Sequence, residues 1–168
     1  MEGGIRVPLI ISGPGIEFKS ECNEPVSGSD ILPTIISLAG NKIVELTNID
    51  GGSISDFLFR KINSKINRNV EGLFFHVPYR NGIALKRPHS AIIQQEYKLV
   101  KFQDNGEVLL FNLSNDIKGN INLSNIEVQK ASFLEKTLDD YLIKVHAPKW
   151  EEGITWKNKP LDSINSHY

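Results

Sequence analysis

The sequence predicts a mixed α/β chain in two parts: the end of an α/β domain over residues 1–70, then a small antiparallel sheet with one packed C-terminal helix over residues 71–147. Three observations predict this arrangement. The chain opens with an unbroken apolar and β-branched run, four strand-like runs follow residue 70, and a helical apolar stripe follows the strands. Residues 148–168 show no periodicity, and we expect an irregular tail there.

The composition is that of an ordinary globular protein, and it excludes several classes of function. Of the 168 residues, 40% are hydrophobic and 23% are charged. The 19 Lys and Arg residues nearly balance the 20 Asp and Glu residues, so the sequence lacks the basic excess of a general nucleic-acid-binding protein. The single cysteine excludes an internal disulfide and a cysteine-based zinc site. No apolar run approaches the roughly 20 residues of a membrane span, and the N-terminus lacks a signal-peptide pattern.

The opening run, Ile5–Ser12, is apolar on both faces and stops at Gly13-Pro14-Gly15. Continuous apolar runs are typical of strands that are covered on both sides in a parallel sheet. We therefore expect a strand whose neighbours lie outside this chain, and a first region that is aggregation-prone or partly molten in isolation. Arg6 interrupts the run, and we expect it to pair with a carboxylate such as Asp30.

A helix is predicted after the segment Ser27–Asp30, which offers several N-cap side chains. Pro33 would lie in the first turn, where a missing N–H costs nothing, and Gly40 is a fitting C-terminal stop. The predicted buried face contains Ile31, Thr34, Ile35 and Leu38. A second, short helix is predicted over Ser53–Phe59, and a polar loop over Lys61–Asn69.

Four strands are predicted after this loop, because the segments there are rich in β-branched and aromatic residues. They are Leu73–Val77, Ser90–Gln94, Tyr97–Phe102 and Val108–Leu113. In the third strand, Tyr97, Leu99 and Lys101 should face one side of the sheet and the intervening residues the other. Asp104-Asn105-Gly106 separates the last two strands and is a strong hairpin signal, since Asn-Gly tolerates a positive φ.

The last predicted element is a helix over Ser124–Val145. Ser124 followed by Glu127 matches a capping box, in which two side chains satisfy backbone N–H groups at the helix start. The apolar stripe of this helix consists of Val128, Phe133, Leu134, Leu138, Tyr141, Leu142 and Val145. We expect the stripe to pack on one face of the sheet.

Groups that could perform catalysis are scarce. The four histidines, His76, His89, His146 and His167, have no spacing that would place two of them on one metal. Asp139-Asp140 lies on the last predicted helix, where adjacent carboxylates point in different directions. The sequence contains no phosphate-binding glycine loop and no nucleophile elbow. It therefore predicts no catalytic residue and no metal ligand.

Several motifs nevertheless occur in a fixed order. They are Glu2-Gly3-Gly4-Ile5-Arg6, Gly13-Pro14-Gly15, Val26–Ile35, Leu38-Ala39-Gly40 and Asp50-Gly51-Gly52-Ser53, followed by Leu73–His76, His89–Ile92, Tyr97–Val100 and Leu110–Leu113. Together they resemble the C-terminal part of the formylglycine-dependent sulfatases of the alkaline-phosphatase-like superfamily. The resemblance extends from Glu2 to about His146.

The resemblance implies hydrolysis of sulfate esters. In such enzymes a cysteine in a Cys-x-Pro/Ala-x-Arg motif becomes formylglycine, whose hydrate attacks the sulfur, and calcium neutralises the sulfate oxygens. In the family these groups lie upstream of the Glu-Gly-Gly segment. The resemblance therefore implies a segment that is catalytically incomplete without an N-terminal catalytic portion. It also implies calcium for the complete enzyme, no cofactor in this chain, and the periplasm or the cell exterior as the compartment.

Two segments imitate the family's reaction centre. Cys22 is followed by Glu24 and Val26, where the formylglycine motif has Pro or Ala and then Arg, so we expect an ordinary thiol. Asp104-Asn105-Gly106 imitates an Asp-Asn-Gly metal segment, but it follows the Glu-Gly-Gly motif instead of preceding it. We therefore expect this segment to form a turn.

The resemblance also implies substrate contacts at the end of the first predicted strand and just after it, because in whole enzymes of this kind the C-terminal subdomain borders the substrate cleft. His76, Tyr79 and Arg80 are the candidates for contacting a sugar or an anionic group. For His76 the alternative is a hydrogen-bonded histidine of the core. The implied partner of the complete enzyme is a sulfated small molecule or glycan.

A second hypothesis belongs to a different functional class. It is a non-catalytic module that binds sulfated or anionic glycans through the Tyr79–Arg87 loop. The cations of that loop are Arg80, Lys86 and Arg87.

Overall fold

The structure is a computed structural model that describes residues 4–16, 21–40, 49–61, 64–80 and 87–150. The chain divides into two compact units: a first unit of residues 8–71, and a second unit of residues 72–168 together with residues 1–7. Residues 8–71 contain short helices, and the later unit contains a four-stranded antiparallel sheet with one helix. The predicted mixed α/β class, with a small antiparallel sheet and a packed C-terminal helix, is confirmed. The part of the predicted tail that follows Trp150 lies outside the described residues.

The predicted strand over Ile5–Ser12, whose neighbours are expected outside this chain, stays a prediction. In this structure these residues form no strand, and their apolar side chains are exposed, to 87% at Ile10. A strand requires the N–H and C=O groups of a neighbour, and within the described residues no strand pairs with this run. The apolar pattern is therefore that of a segment without a sheet partner in the described part of the chain.

The first predicted helix is confirmed as α1, Ile31–Leu38. A 3-10 turn, Gly28–Asp30, precedes it, and Ser27 caps this turn: the Ser27 Oγ accepts from the Ser29 N–H at 3.2 Å. The buried side of α1 differs from the predicted one. Pro33 and Thr34 are buried, whereas the apolar side chains Ile31, Leu32, Ile35 and Leu38 are exposed.

Asp30 is the polar centre of the first unit, and its partner is Arg68. The Arg68 guanidinium donates to both carboxylate oxygens, at 3.0 and 2.8 Å, and Asp30 is only 1% exposed. The N–H groups of Ser27 and Gly52 complete the shell at 2.8 and 2.9 Å. Arg68, from the predicted polar loop, therefore occupies the carboxylate for which Arg6 was the predicted partner.

The same centre explains the Gly51-Gly52 pair. A Cβ on Gly51 would lie 1.9 Å from the Ser29 carbonyl oxygen, and one on Gly52 would lie 2.6 Å from the Asn67 carbonyl oxygen. Only glycine allows this close approach of three backbone segments. The short helix that follows, α2, spans Ser55–Leu58 within the predicted range.

The four strands of the second unit are β1 Leu73–Val77, β2 His89–Gln94, β3 Tyr97–Phe102 and β4 Val108–Asn112. They pair antiparallel in chain order, as expected for consecutive hairpins. The predicted turn at Asp104-Asn105-Gly106, which lies between β3 and β4, is confirmed. The Gly106 N–H donates to the Phe102 carbonyl at 2.9 Å, and Gly106 has φ +73°.

The core of this unit lies between the sheet and the last helix. The fully buried side chains there are Ile92, Leu99, Leu110, Leu134 and Leu138. On the opposite face of the sheet, Ala91, Val100, Phe102 and Phe111 form a second buried cluster. The predicted alternation in the third strand is confirmed, because Leu99 and Val100 belong to opposite clusters.

The last helix, α3, spans Val128–Lys144 and begins four residues later than predicted. The predicted capping box is wrong: Glu127 is the N-cap and makes no side-chain cap hydrogen bond. The Asn122 Oδ1 accepts from the N–H groups of Leu110 and Ser124, each at 3.0 Å, and so ties this segment to β4. Within the described part of the chain, α3 is the longest helix at 17 residues, and no helix is both long and apolar enough to cross a membrane.

Candidate functional site

His76 lies near the end of β1, directly opposite Ser90 of β2 in the sheet register. Both nitrogens of its half-buried ring make hydrogen bonds. Nδ1 lies 2.9 Å from the Ser90 Oγ and 3.2 Å from the Gln103 Nε2, and Nε2 lies 2.8 Å from the Pro148 carbonyl oxygen. The structure therefore joins three distant parts of the chain at this histidine.

These contacts define the tautomer of His76. A carbonyl oxygen only accepts, so Nε2 carries the proton and donates to Pro148. Nδ1 is then the acceptor for Ser90 or Gln103, while the Gln103 Nε2 also donates to the Ser90 Oγ at 2.7 Å. Burial lowers the pKa of His76 below its usual value; the Pro148 hydrogen bond opposes this shift, and the charge of His89 adds to it. The ring is therefore neutral at pH 7.

Arg80 and Trp150 meet beside this network. The guanidinium carbon of Arg80 lies 5.9 Å from the centre of the Trp150 ring, within the range of a cation–π contact. The backbone N–H of Trp150 donates to the Gln103 Oε1 at 3.2 Å. Arg80 is exposed, and Tyr79 and Trp150 are partly exposed. The sequence alone did not associate Trp150 with this site, although a large aromatic residue in a polar segment was a usable signal.

Arg87 is held inside the protein's own charge network. Its guanidinium donates to Asp104, Asn105 and Glu107 at 2.7–2.9 Å and lies 3.8 Å from the centre of the Phe102 ring. The hydrogen bonds that Arg87 donates to Asp104 and Glu107 raise the pKa of Arg87. This arrangement disfavours the second hypothesis, because Arg87 was one of its three cations. Lys86, another of them, lies outside the described residues.

The described carboxylates do not fit a calcium site. Calcium requires several convergent oxygen ligands that are not already neutralised. Asp30 is bound by Arg68, Asp104 by Arg87, and Asp139 by Lys101, each at 2.7–2.8 Å. Within the described ranges, no group of three His, Cys, Asp or Glu side chains is arranged to hold a metal.

Cys22 and the surface depressions offer no alternative reaction centre. Cys22 is an exposed free thiol. A shallow depression of about 590 Å³ is lined by residues 126–130 and Phe133, around the start of α3, and it includes none of the predicted site residues. The chemistry-bearing cluster of the described residues is therefore the one around His76 and Arg80.

Comparison with known proteins identifies the family. The model of the family described as N-sulphoglucosamine sulphohydrolase, C-terminal, matches residues 1–147. The chain belongs to this family of sulfatase C-terminal segments. A sulfatase from Formosa agariphila is 32% identical over 94% of this chain, and arylsulfatase K from Gallus gallus is 29% identical over 68% of it. The chain spans 30% and 22%, respectively, of the lengths of these relatives.

Solved structures have the same fold. A structure described as a putative sulfatase from Bacteroides thetaiotaomicron aligns with a TM-score of 0.62 and 19% identity, over 79% of this sulfatase segment and 28% of that chain. A second, in complex with its substrate D-glucosamine-2-N,6-O-disulfate, aligns with a TM-score of 0.53 and 19% identity over 74% of this segment and 25% of that chain. A third, in complex with k-i-k-neocarrahexaose, has a TM-score of 0.56 and 20% identity over 84% and 28%. These alignments support the fold of this segment.

Proposed function

We propose that this chain is the C-terminal portion of a sulfatase that hydrolyses sulfate esters of carbohydrates. The family match over residues 1–147 is the observation that carries the proposal. The choice of a carbohydrate is supported by a neighbour of the same fold whose substrate is D-glucosamine-2-N,6-O-disulfate. It is supported further by a neighbour described as a 2-O GAG sulfatase, with a TM-score of 0.54.

The reaction centre of the complete enzyme belongs, in this proposal, to an N-terminal catalytic portion. The chain spans only 30% of the Formosa agariphila sulfatase. The complete enzyme would use formylglycine as its nucleophile and calcium to neutralise the sulfate oxygens. The described residues of this chain fit neither role, since Cys22 lacks the motif and no group of three described His, Cys, Asp or Glu side chains is arranged to hold a metal.

The exposed side of α1 supports such a partner. Four of its apolar side chains are 47–58% exposed: Ile31, Leu32, Ile35 and Leu38. An exposed apolar stripe of this kind marks a surface that another part of the protein covers. We assign it to the proposed catalytic portion.

Within the chain, Arg80 and Tyr79 are the proposed substrate contacts. Arg80 is exposed, and its guanidinium suits a sulfate because paired N–H donors match two sulfate oxygens. His76 was also predicted as a contact, but both of its ring nitrogens are hydrogen-bonded within the chain. We therefore propose that His76 is a positioning residue, which holds the Pro148 segment beside Arg80.

The test compares two proteins: the 168-residue chain and the longest reading frame that contains it. Both are assayed with 4-nitrophenyl sulfate and glucosamine 6-sulfate in the presence of calcium. We expect no sulfate release by the chain alone and turnover by the longer product, whose added segment should contain a Cys-x-Pro/Ala-x-Arg motif. Turnover by the chain alone that disappears in Cys22→Ala would contradict the proposal, and so would a longer frame without that motif.

A further inference from the structure

We propose, resting on the function above, that Trp150 and Arg80 form a platform for a sulfated sugar ring. The sugar ring stacks on the face of the Trp150 indole that the Arg80 guanidinium leaves open, and a sulfate group at the rim of the sugar binds that guanidinium. The two groups are already adjacent, since the Arg80 Cζ lies 5.9 Å from the centre of the Trp150 ring. Both are accessible to a ligand, because Arg80 is exposed and Trp150 is partly exposed.

The backbone that leads into this tryptophan is anchored to the sheet at two points. The backbone N–H of Trp150 donates to the Gln103 Oε1 at 3.2 Å. Two residues earlier, the Pro148 carbonyl accepts from the His76 Nε2 at 2.8 Å. Gln103 is itself fixed, because its Nε2 donates to the Ser90 Oγ at 2.7 Å. The backbone that carries the indole is therefore held in place before a ligand arrives, which reduces the entropic cost of binding.

The chemistry of the two groups suits one class of ligand. A pyranose ring presents polarised C–H groups on its faces, and the electron-rich face of an indole attracts such groups while excluding water. Hydroxyl and sulfate groups project from the rim of the sugar, where a guanidinium beside the indole can reach them. A bare sulfate ion would use only Arg80, and an unsulfated sugar would use only Trp150.

Arg80 keeps this role although an acidic residue is near. Its charge contributes to the lowered pKa of Asp104, but the hydrogen bond from Arg87 is the main cause of that shift. The Arg87 Nε and Nη2 atoms donate to both oxygens of Asp104, at 2.7–3.2 Å. Arg87 thus neutralises Asp104, and the Arg80 guanidinium remains suited to an incoming anion.

The test is an NMR titration of the 15N-labelled 168-residue chain, which follows the indole N–H of tryptophan and the Nε–H of arginine. The Trp156→Phe variant leaves Trp150 as the only tryptophan and serves as the matched control. The probes are glucosamine 6-sulfate, glucosamine and sodium sulfate. Dispersed amide signals from β2 and β3 verify folding in every variant. If the isolated chain lacks this dispersion, the same titration is made on the product of the longest reading frame.

We expect glucosamine 6-sulfate to shift the Trp150 and Arg80 signals together and saturably, with both other probes binding about tenfold more weakly. Trp150→Ala should weaken binding of the sulfated sugar about tenfold, and Arg80→Ala should remove the preference for the sulfated sugar. Gln103→Leu should weaken sugar binding but leave the response of Arg80 to sodium sulfate unchanged. A response of Arg80 without one of Trp150 would overturn the platform and leave the proposed sulfate contact standing. Absence of any response would overturn both.

Discussion

The two units of this sulfatase segment differ in how they cover similar apolar residues. In the second unit, Ile92, Leu99 and Leu134 are completely buried between the sheet and α3. In the first unit, Ile35 on α1 is 58% exposed and Ile10 is 87% exposed. Aliphatic side chains of the same type therefore form a closed core in one unit and an open surface in the other.

This difference shows where the fold is self-sufficient. Burial of apolar area contributes roughly 25 cal/mol per Å², so the second unit has its own source of stability. The first unit depends more on a polar centre, the buried Asp30–Arg68 pair, and on the close approach at Gly51. Its exposed apolar surface would become stabilising only when another part of the protein covers it.

The largest expected effect is in the first unit. Arg68→Ala should cost about 3–5 kcal/mol, because it leaves the buried Asp30 carboxylate without its counter-ion. The matched control is Lys61→Ala, which removes an exposed ion pair with Asp56 and should cost less than about 0.5 kcal/mol. Hydrogen exchange at the Gly52 amide, which donates to Asp30, measures both changes. Equal protection in the two variants would show that the polar centre does not hold this unit together.

Acid should act on the same centre. Burial raises the pKa of Asp30, but the hydrogen bonds from Arg68, Gly52 and Ser27 outweigh this effect, and the pKa lies below its usual value of 3.8. The stabilisation that the ionised Asp30 carboxylate contributes is therefore complete above pH 3.8 and is lost as the pH falls through the lower pKa of the folded state. Protection of the Gly52 amide should follow this profile, and Asp30→Asn should remove the dependence.

In the second unit, removal of a buried side chain should be the largest effect. Leu134→Ala should lower the free energy of unfolding by about 2–5 kcal/mol, because Leu134 is fully buried against the sheet. Leu38→Ala on the exposed side of α1 is the control and should change it by about 0.5 kcal/mol or less. Urea unfolding followed by circular dichroism gives both values. Similar costs for the two variants would mean that α1 is not an exposed surface.

The smallest effect concerns His76. Burial lowers the pKa of His76 in the folded state. The contribution of the neutral ring to the free energy of unfolding is therefore complete above the usual pKa of 6.5 and is lost as the pH falls through the lower pKa of the folded state. The free energy of unfolding of the second unit, measured by urea unfolding, should therefore decrease on acidification from neutral pH, by an amount comparable to one hydrogen bond, about 1 kcal/mol. His76→Gln should flatten the profile, and an unchanged slope in that variant would assign the effect to other groups.

Sequence patterns predicted the second unit far better than the first, for a physical reason. Local alternation and hairpin signals define β1 and β3 to the residue, since their partners are the next strands along the chain. The run at Ile5–Ser12 has an equally clear apolar pattern, but a strand also needs a neighbour, which no local pattern supplies. Likewise Asp30 and Arg68 are 38 residues apart, and nothing local indicates their pairing.

The candidate site shows the same limit. His76, Tyr79 and Arg80, at the end of β1 and just after it, were predicted from the family resemblance. Their role in substrate binding stays a prediction. Ser90, Gln103 and Trp150 were not predicted, because the sheet register and the return of the chain after α3 bring them to His76. The start of α3 was placed too early, since the Asn122 side chain competes for the backbone of that segment.

The central claim is that the second unit folds on its own, while the first unit depends on a covering partner. Native-state hydrogen exchange on the 168-residue chain tests this claim most directly. The amides of Leu109–Phe111 in β4 should exchange at least about a hundredfold more slowly than those of Leu9–Ile11, which are in no strand. Equal protection of the two segments would contradict the account, because it would show that the apolar run near the N-terminus is already covered within this chain.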